Sequence, residues 1–165
     1  MFGLAFPDNS YPTLALILGV YSILHLSRNS GYGIALLSLP GTLCHEILHW
    51  IFGIFLNAKP VSVSIWPKRQ GNTWVLGSVG FTNLTIWNSA FVAFAPLLML
   101  PIGWALFVYA VVPAWTQGFY AAWLLGSYMC ACCAFAGLPS TTDIKLGALS
   151  VLMYGVIGFF VWNLG

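Results

Sequence analysis

The chain alternates long apolar runs with short polar breaks. Five runs stand out: about Tyr11 to Ser27, Tyr32 to Asn57 (interrupted at Pro40-Gly41), Trp87 to Val112 (carrying Pro96 and Pro101), Trp115 to Ala136, and Lys145 to Trp162. A helix needs roughly 20 residues to cross the ~30 Å hydrocarbon layer, so most of these runs suffice and the last is slightly short. The pattern predicts an all-α polytopic membrane protein of about five transmembrane helices, with residues 1–165 forming one domain and no linker long enough to divide it. One stretch departs from the helical pattern. In "KPVSVSIWPKRQGNTWVLGSVGFTN" (Lys59 to Asn83), Val61, Val63 and Ile65 alternate with serines, a period of two. The breaker-rich "PKRQGN" and a second β-prone run follow, so a β-hairpin is expected directly after the second helix. An unpaired strand edge facing lipid leaves backbone groups unsatisfied, which places the hairpin at the interface or against protein.

Composition agrees with the membrane reading. Hydrophobic residues make up 60% of the chain and charged residues 5%, far from the roughly 25% charged content of soluble domains. A net charge of +2 is too small to indicate nucleic acid as a partner, and no feature points to a particular oligomer. The N-terminus "MFGLAFPDNSYP" lacks a basic n-region and a small-residue cleavage site, so the first span is expected to be retained. Cys44, Cys130, Cys132 and Cys133 all lie in apolar segments and read as helix-packing residues. With five crossings, Lys59, Lys68, Arg69 and Lys145 share one face and Arg28 is alone on the other. By the positive-inside rule the hairpin loop is then cytoplasmic, in a protein integral to a bacterial inner membrane.

Against this apolar background, "HEILH" places His45, Glu46 and His49 within five residues, and Glu46 is the only glutamate in the chain. Residues four apart on a helix lie one turn above each other, so two imidazoles at this spacing can share one metal ion. Glu46 is rotated about 100° from His45 and can reach a water held by that metal. A bound metal lowers the pKa of its water toward ~7, and an adjacent carboxylate can take and return the proton. The residue types and their spacing therefore suit metal-assisted hydrolysis. The competing reading is a pair of buried histidines that stabilise helix packing. Ionisable side chains at membrane depth are costly, which favours function.

A catalytic zinc ordinarily takes three protein ligands. The acidic residues are Asp8, Glu46 and Asp143, and no histidine follows His49. A downstream Glu or His ligand is therefore excluded, leaving Asp143, Asp8, His25 and the cysteines. Asp143 fits best on topology, in "GLPSTTDIK", where a proline-broken segment joins the last two runs. His49 is eight residues from Asn57, or ~12 Å along a helix, so this segment must dip inward to meet it. Ser140-x-x-Asp143 also matches a helix capping box, which would account for the aspartate without metal. His25 reads as an interfacial histidine and Asp8 as a solvated terminal residue.

"HEILH" on an early helix, the hairpin after it, and "PSTTD" at a later proline-broken junction together resemble the site-2 protease family of intramembrane zinc metalloproteases. The resemblance implies one Zn²⁺ held by His45, His49 and Asp143, with Glu46 as general base and membrane-protein or peptide substrates. Ile144 stands where that family usually has glycine after the aspartate, which marks a divergent, minimal member. The resemblance also suggests a substrate-contacting role for Asn88, whose alternative is a helix cap or interhelical hydrogen bond. An unwound substrate could pair with a hairpin strand, with Val61, Val63 and Ile65 as the first candidates. The alternative function is a catalytically inactive member, or a structural subunit of a membrane complex, that retains the metal.

Overall fold

A computed structural model of the chain describes residues 10–70 and 73–165; Asp8, a candidate ligand, lies outside them. The helices are α1 (Tyr11–Leu26), α2 (Tyr32–Leu37), α3 (Leu39–Phe55), α4 (Ser89–Phe94), α5 (Met99–Leu106), α6 (Val112–Thr116), α7 (Tyr120–Ala136) and α8 (Thr141–Leu164). Between α3 and α4 lie four short strands: β1 (Pro60–Ser64), β2 (Lys68–Gln70), β3 (Thr73–Val75) and β4 (Ser78–Phe81).

Helices α4, α5 and α6 form one column from Ser89 to Thr116, 28 residues long. Proline shapes it twice. Pro96 has no N–H to donate four residues back, and the column tightens into a 3₁₀ turn over Ala95–Leu98. Pro113 likewise gives Tyr109 no partner, and the backbone immediately before it widens into a π-helical stretch, Phe107–Val111.

The helices after this column run back along it without a further reversal. Trp115 meets Tyr120 edge-on and Trp123 at a tilt, Gly126 packs on Val111, and Gly137 packs on Met99. Past the break at Gly137–Ser140 the ladder continues in the same sense. Gly147 packs on Ala93, the Ala90 N–H donates to Ser150 Oγ at 3.2 Å, and the Tyr154 hydroxyl donates to Trp87 O at 2.7 Å. Helices α7 and α8 are thus one column, broken in the middle and antiparallel to α4–α6.

The N-terminal part is built similarly. Trp123 Nε1 donates to Thr13 Oγ1 at 2.9 Å and Tyr21 meets Phe135 edge-on, so α1 runs in the direction of α7. Helix α3 runs that way too, because the Tyr128 hydroxyl bonds Leu37 O just before it and Gly41 packs on Cys132. Between them the chain doubles back through Ser27–Asn29, Gly31 (φ +62°) and α2. Buried contacts among Leu24, Ile34 and Cys132 close this joint.

Five independent crossings are therefore not what these contacts describe. Hydropathy counts apolar runs but does not reveal whether successive runs reverse direction, and α7 and α8 do not. Two helices, Ser89–Thr116 and Thr141–Leu164, are long and apolar enough to cross a membrane. Helices α1 and α7 are apolar but only 16 and 17 residues long.

The expected hairpin is present after α3. β1 pairs antiparallel with β4, with an irregularity between Pro60 and Ser62, and β2 pairs with β3 nearer the tip. It folds back along the helix that precedes it: Phe81 packs on Gly53, Gly77 lies on Glu46, and Trp74 covers Gly31 beside Tyr32. Strand β3 thus meets the reversal that contains Arg28. Lys68 and Arg69 pair with Val75 and Trp74, so they accompany β3 and do not stay with Lys59 at the base. Lys145 is two residues past Asp143, at the mid-column break. The basic residues do not divide between the two ends as the sequence count supposed, and that count sets no orientation.

Gly31 tests the docking of β3. A Cβ at this position would lie 2.6 Å from the Trp74 ring, in a left-handed backbone conformation that L residues resist. Gly31→Ala should lower stability by about 1–3 kcal/mol, read as an earlier unfolding midpoint in mixed micelles.

Candidate metal centre

His45, Glu46 and His49 lie on α3, and Asp143 lies in the first turn of α8. The break between α7 and α8 brings Asp143 to the middle of α3, so residues almost a hundred positions apart in sequence converge. His45 Nε2 and His49 Nε2 are 3.0 Å apart. Asp143 presents Oδ2 at 3.5 Å from the first and Oδ1 at 3.3 Å from the second. One potential ligand atom from each residue lies within 4.8 Å of the others, and the group can hold a metal ion.

The remaining imidazole nitrogens fix the tautomers. His45 Nδ1 is 2.6 Å from Ala136 O, and His49 Nδ1 is 2.8 Å from Val92 O. A carbonyl oxygen only accepts, so each Nδ1 carries a proton and donates it. In the neutral rings both Nε2 atoms then present lone pairs to each other and to a carboxylate. Three acceptors this close repel unless a cation lies among them, either a proton on one ring or a metal ion. Tetrahedral zinc bonds of about 2.0–2.1 Å place neighbouring ligand atoms about 3.3 Å apart, and the observed separations bracket that value. An imidazole with its second nitrogen fixed by a carbonyl is also the usual support for a metal-binding histidine. The residues fit a metal.

Asp143 also caps α8. Ser140 N–H donates to its Oδ2 at 2.7 Å, and the Asp143 N–H donates to Ser140 Oγ at 3.2 Å. Ligand and cap, which the sequence presents as alternatives, are compatible: the capping bond fixes the carboxylate plane, and Oδ1 stays directed at His49. Glu46 is 6% exposed and Asp143 7%, so two carboxylates are held almost out of water. Such groups are retained only with compensating partners.

A cavity of about 540 Å³ opens on this group. One wall is the hairpin from Trp74 to Val79; Phe135, Leu138 and Leu146 form much of the other. Gly77 rests directly on Glu46, and a Cβ there would lie 2.5 Å from Oε1. Only glycine lets this link between β3 and β4 approach so closely.

The other candidate residues fall elsewhere. Val61 and Val63 lie on the outer strand β1 and Ile65 just past its end, exposed at 63%, 52% and 44%, and none lines the cavity. Asn88 is occupied with backbone: its Oδ1 accepts from Thr85 N, and its Nδ2 donates to Leu56 O and Asn83 O. It ties the start of α4 to the end of α3, matching the hydrogen-bonding alternative. His25 is exposed and stacks on Tyr21. Cys130, Cys132 and Cys133 are buried in helix packing, and Cys44 is exposed. Sequence reading missed Gly77, whose only signal is a glycine in a β-prone run, and the carbonyls of Val92 and Ala136.

No family model, no curated protein and no solved structure matches the chain. The functional reading therefore depends on the atoms of the site. His45→Ala, His49→Ala and Asp143→Ala should each weaken divalent-metal retention by roughly 10-fold or more, measured by elemental analysis of the purified proteins. Equal metal in wild type and Asp143→Ala would leave the aspartate as a cap alone.

Proposed function

We propose that the protein is a zinc-dependent, membrane-embedded endopeptidase that hydrolyses peptide bonds of membrane-protein or peptide substrates. The observation that carries this reading is the convergence of two imidazole Nε2 atoms and one carboxylate, with Glu46 adjacent on the same helix. This is the arrangement the likeness to site-2 proteases calls for. Placement in the bilayer is supported by the two long apolar helices and by the outward side chains of α8, among them Leu152, Val156, Phe159 and Phe160.

His45, His49 and Asp143 would hold the ion. Zinc bound there supplies Lewis acidity toward a carbonyl and lowers the pKa of water to about 7. The chain supplies the rest. Glu46 is the base: its carboxylate takes a proton from the attacking water and delivers one to the leaving amine. Gly77 and the hairpin backbone hold that carboxylate against the cavity and keep bulk water away. The hairpin backbone on the cavity side, from Val75 at the end of β3 through Gly77 to Val79 in β4, offers groups to an extended substrate. This places the substrate along the inner arm of the hairpin, not along Val61 to Ile65.

The alternative reading, a structural subunit that retains the metal, has no use for a carboxylate base at position 46. Glu46→Gln separates the two. On the enzyme reading it retains metal while cleavage of a membrane-protein substrate falls by about 10²–10⁴-fold. Unchanged processing in cells expressing this variant would eliminate the protease assignment.

Gly77→Ala probes the covering segment of the hairpin. The added methyl group must displace Glu46 or the hairpin, so cleavage should fall about 10-fold or more while metal content stays at the wild-type level. Joint loss of metal and activity would show that the segment supports the ligands, not the base.

A further inference from the structure

Both imidazoles are anchored to helix-backbone carbonyls, which ordinarily accept from the amide four residues on. At Val92 that amide would belong to residue 96, which is proline and has no N–H. Ala95 N–H bonds Val92 O from three residues on, the tighter 3₁₀ geometry, and the His49 ring meets the same oxygen at 2.8 Å. Pro96 is fully buried between the two halves of its column. At Ala136 the residue four on is Ser140, whose N–H donates to Asp143 Oδ2 at 2.7 Å. His45 Nδ1 takes the carbonyl left behind at 2.6 Å. In each case the carbonyl lacks an i+4 helical donor, at Val92 because residue 96 is proline and at Ala136 because α7 ends there.

We propose that Pro96 is a positioning residue for His49: by withholding its own amide from Val92 O, which then accepts only from Ala95 N–H, it leaves the carbonyl's second lone pair to Nδ1 and directs Nε2 toward Asp143 and His45. The role rests on the metal reading of the site. An N–H at position 96 would compete for the same oxygen and leave the imidazole free to rotate or to change tautomer. Carbonyl partners of this kind typically govern metal affinity by about 10–100-fold.

The test uses the full chain in detergent micelles, titrated with Zn²⁺ and, for its ligand-field absorption, Co²⁺. Pro96→Ala restores the amide and should bind both ions about 10–100-fold more weakly, with an altered Co²⁺ spectrum. Replacing residue 96 by lactic acid keeps the alanine side chain but substitutes an ester oxygen for the N–H. This chain should regain wild-type affinity and spectrum. Wild-type binding by Pro96→Ala, or binding by the ester as weak as that of the alanine variant, overturns the proposal. If Pro96→Ala does not fold, the ester chain decides alone: wild-type affinity supports the role and weakened binding overturns it. Failure of the underlying reading looks different, because wild-type protein would then take up no more metal than His49→Ala.

Discussion

Two imidazole nitrogens held 3.0 Å apart, each with its other nitrogen committed to a carbonyl, form the contact on which the rest of the architecture depends. A proton or a metal ion among the three converging acceptors turns repulsion into attraction. The two carbonyls come from α4 and α7, the carboxylate from α8 and the rings from α3. The centre therefore joins four helices: α3, the first part of the α4–α6 column, and both halves of the broken α7–α8 column. Its apolar surroundings strengthen that dependence, because charge in a low-dielectric cavity interacts more strongly than charge in water.

The cavity is apolar where a peptide side chain would lie and polar where the reacting bond would lie. Leu138, Leu146 and Phe135 face it from the helical side, while the hairpin presents backbone. A membrane-spanning helix satisfies its own amides, so it offers no exposed peptide bond until it unwinds, and a strand edge can replace the hydrogen bonds that unwinding breaks. On the proposed function, the base and the backbone that would receive an unwound substrate lie together on the inner arm of one hairpin, where Gly77 rests on Glu46.

Much of the site was legible in the sequence, and less of the fold. His45, Glu46 and His49 announce themselves because a helix puts i and i+4 on one face. Asp143 followed from the scarcity of acids and the proline beside it. The hairpin followed from the period-two alternation at Val61, Val63 and Ile65. The direction of each apolar run was not legible: nothing local in "GLPST" distinguishes a helix that turns back from one that pauses and continues. The docking of β3 was equally hidden, because it depends on an aromatic side chain finding a glycine more than forty residues earlier. The roles of Val92 and Ala136 were beyond reach for a different reason: a backbone carbonyl has no residue identity by which to be recognised.

The break between α7 and α8 has one more consequence. Between the Gly137–Met99 and Gly147–Ala93 contacts, one column advances ten residues while its partner advances six. The surplus of four is close to the 3.6 residues of a helical turn. About one turn's worth of chain is spent in the non-helical break at residues 137–140, and α8 then opens with Asp143 in its first turn, beside both histidines.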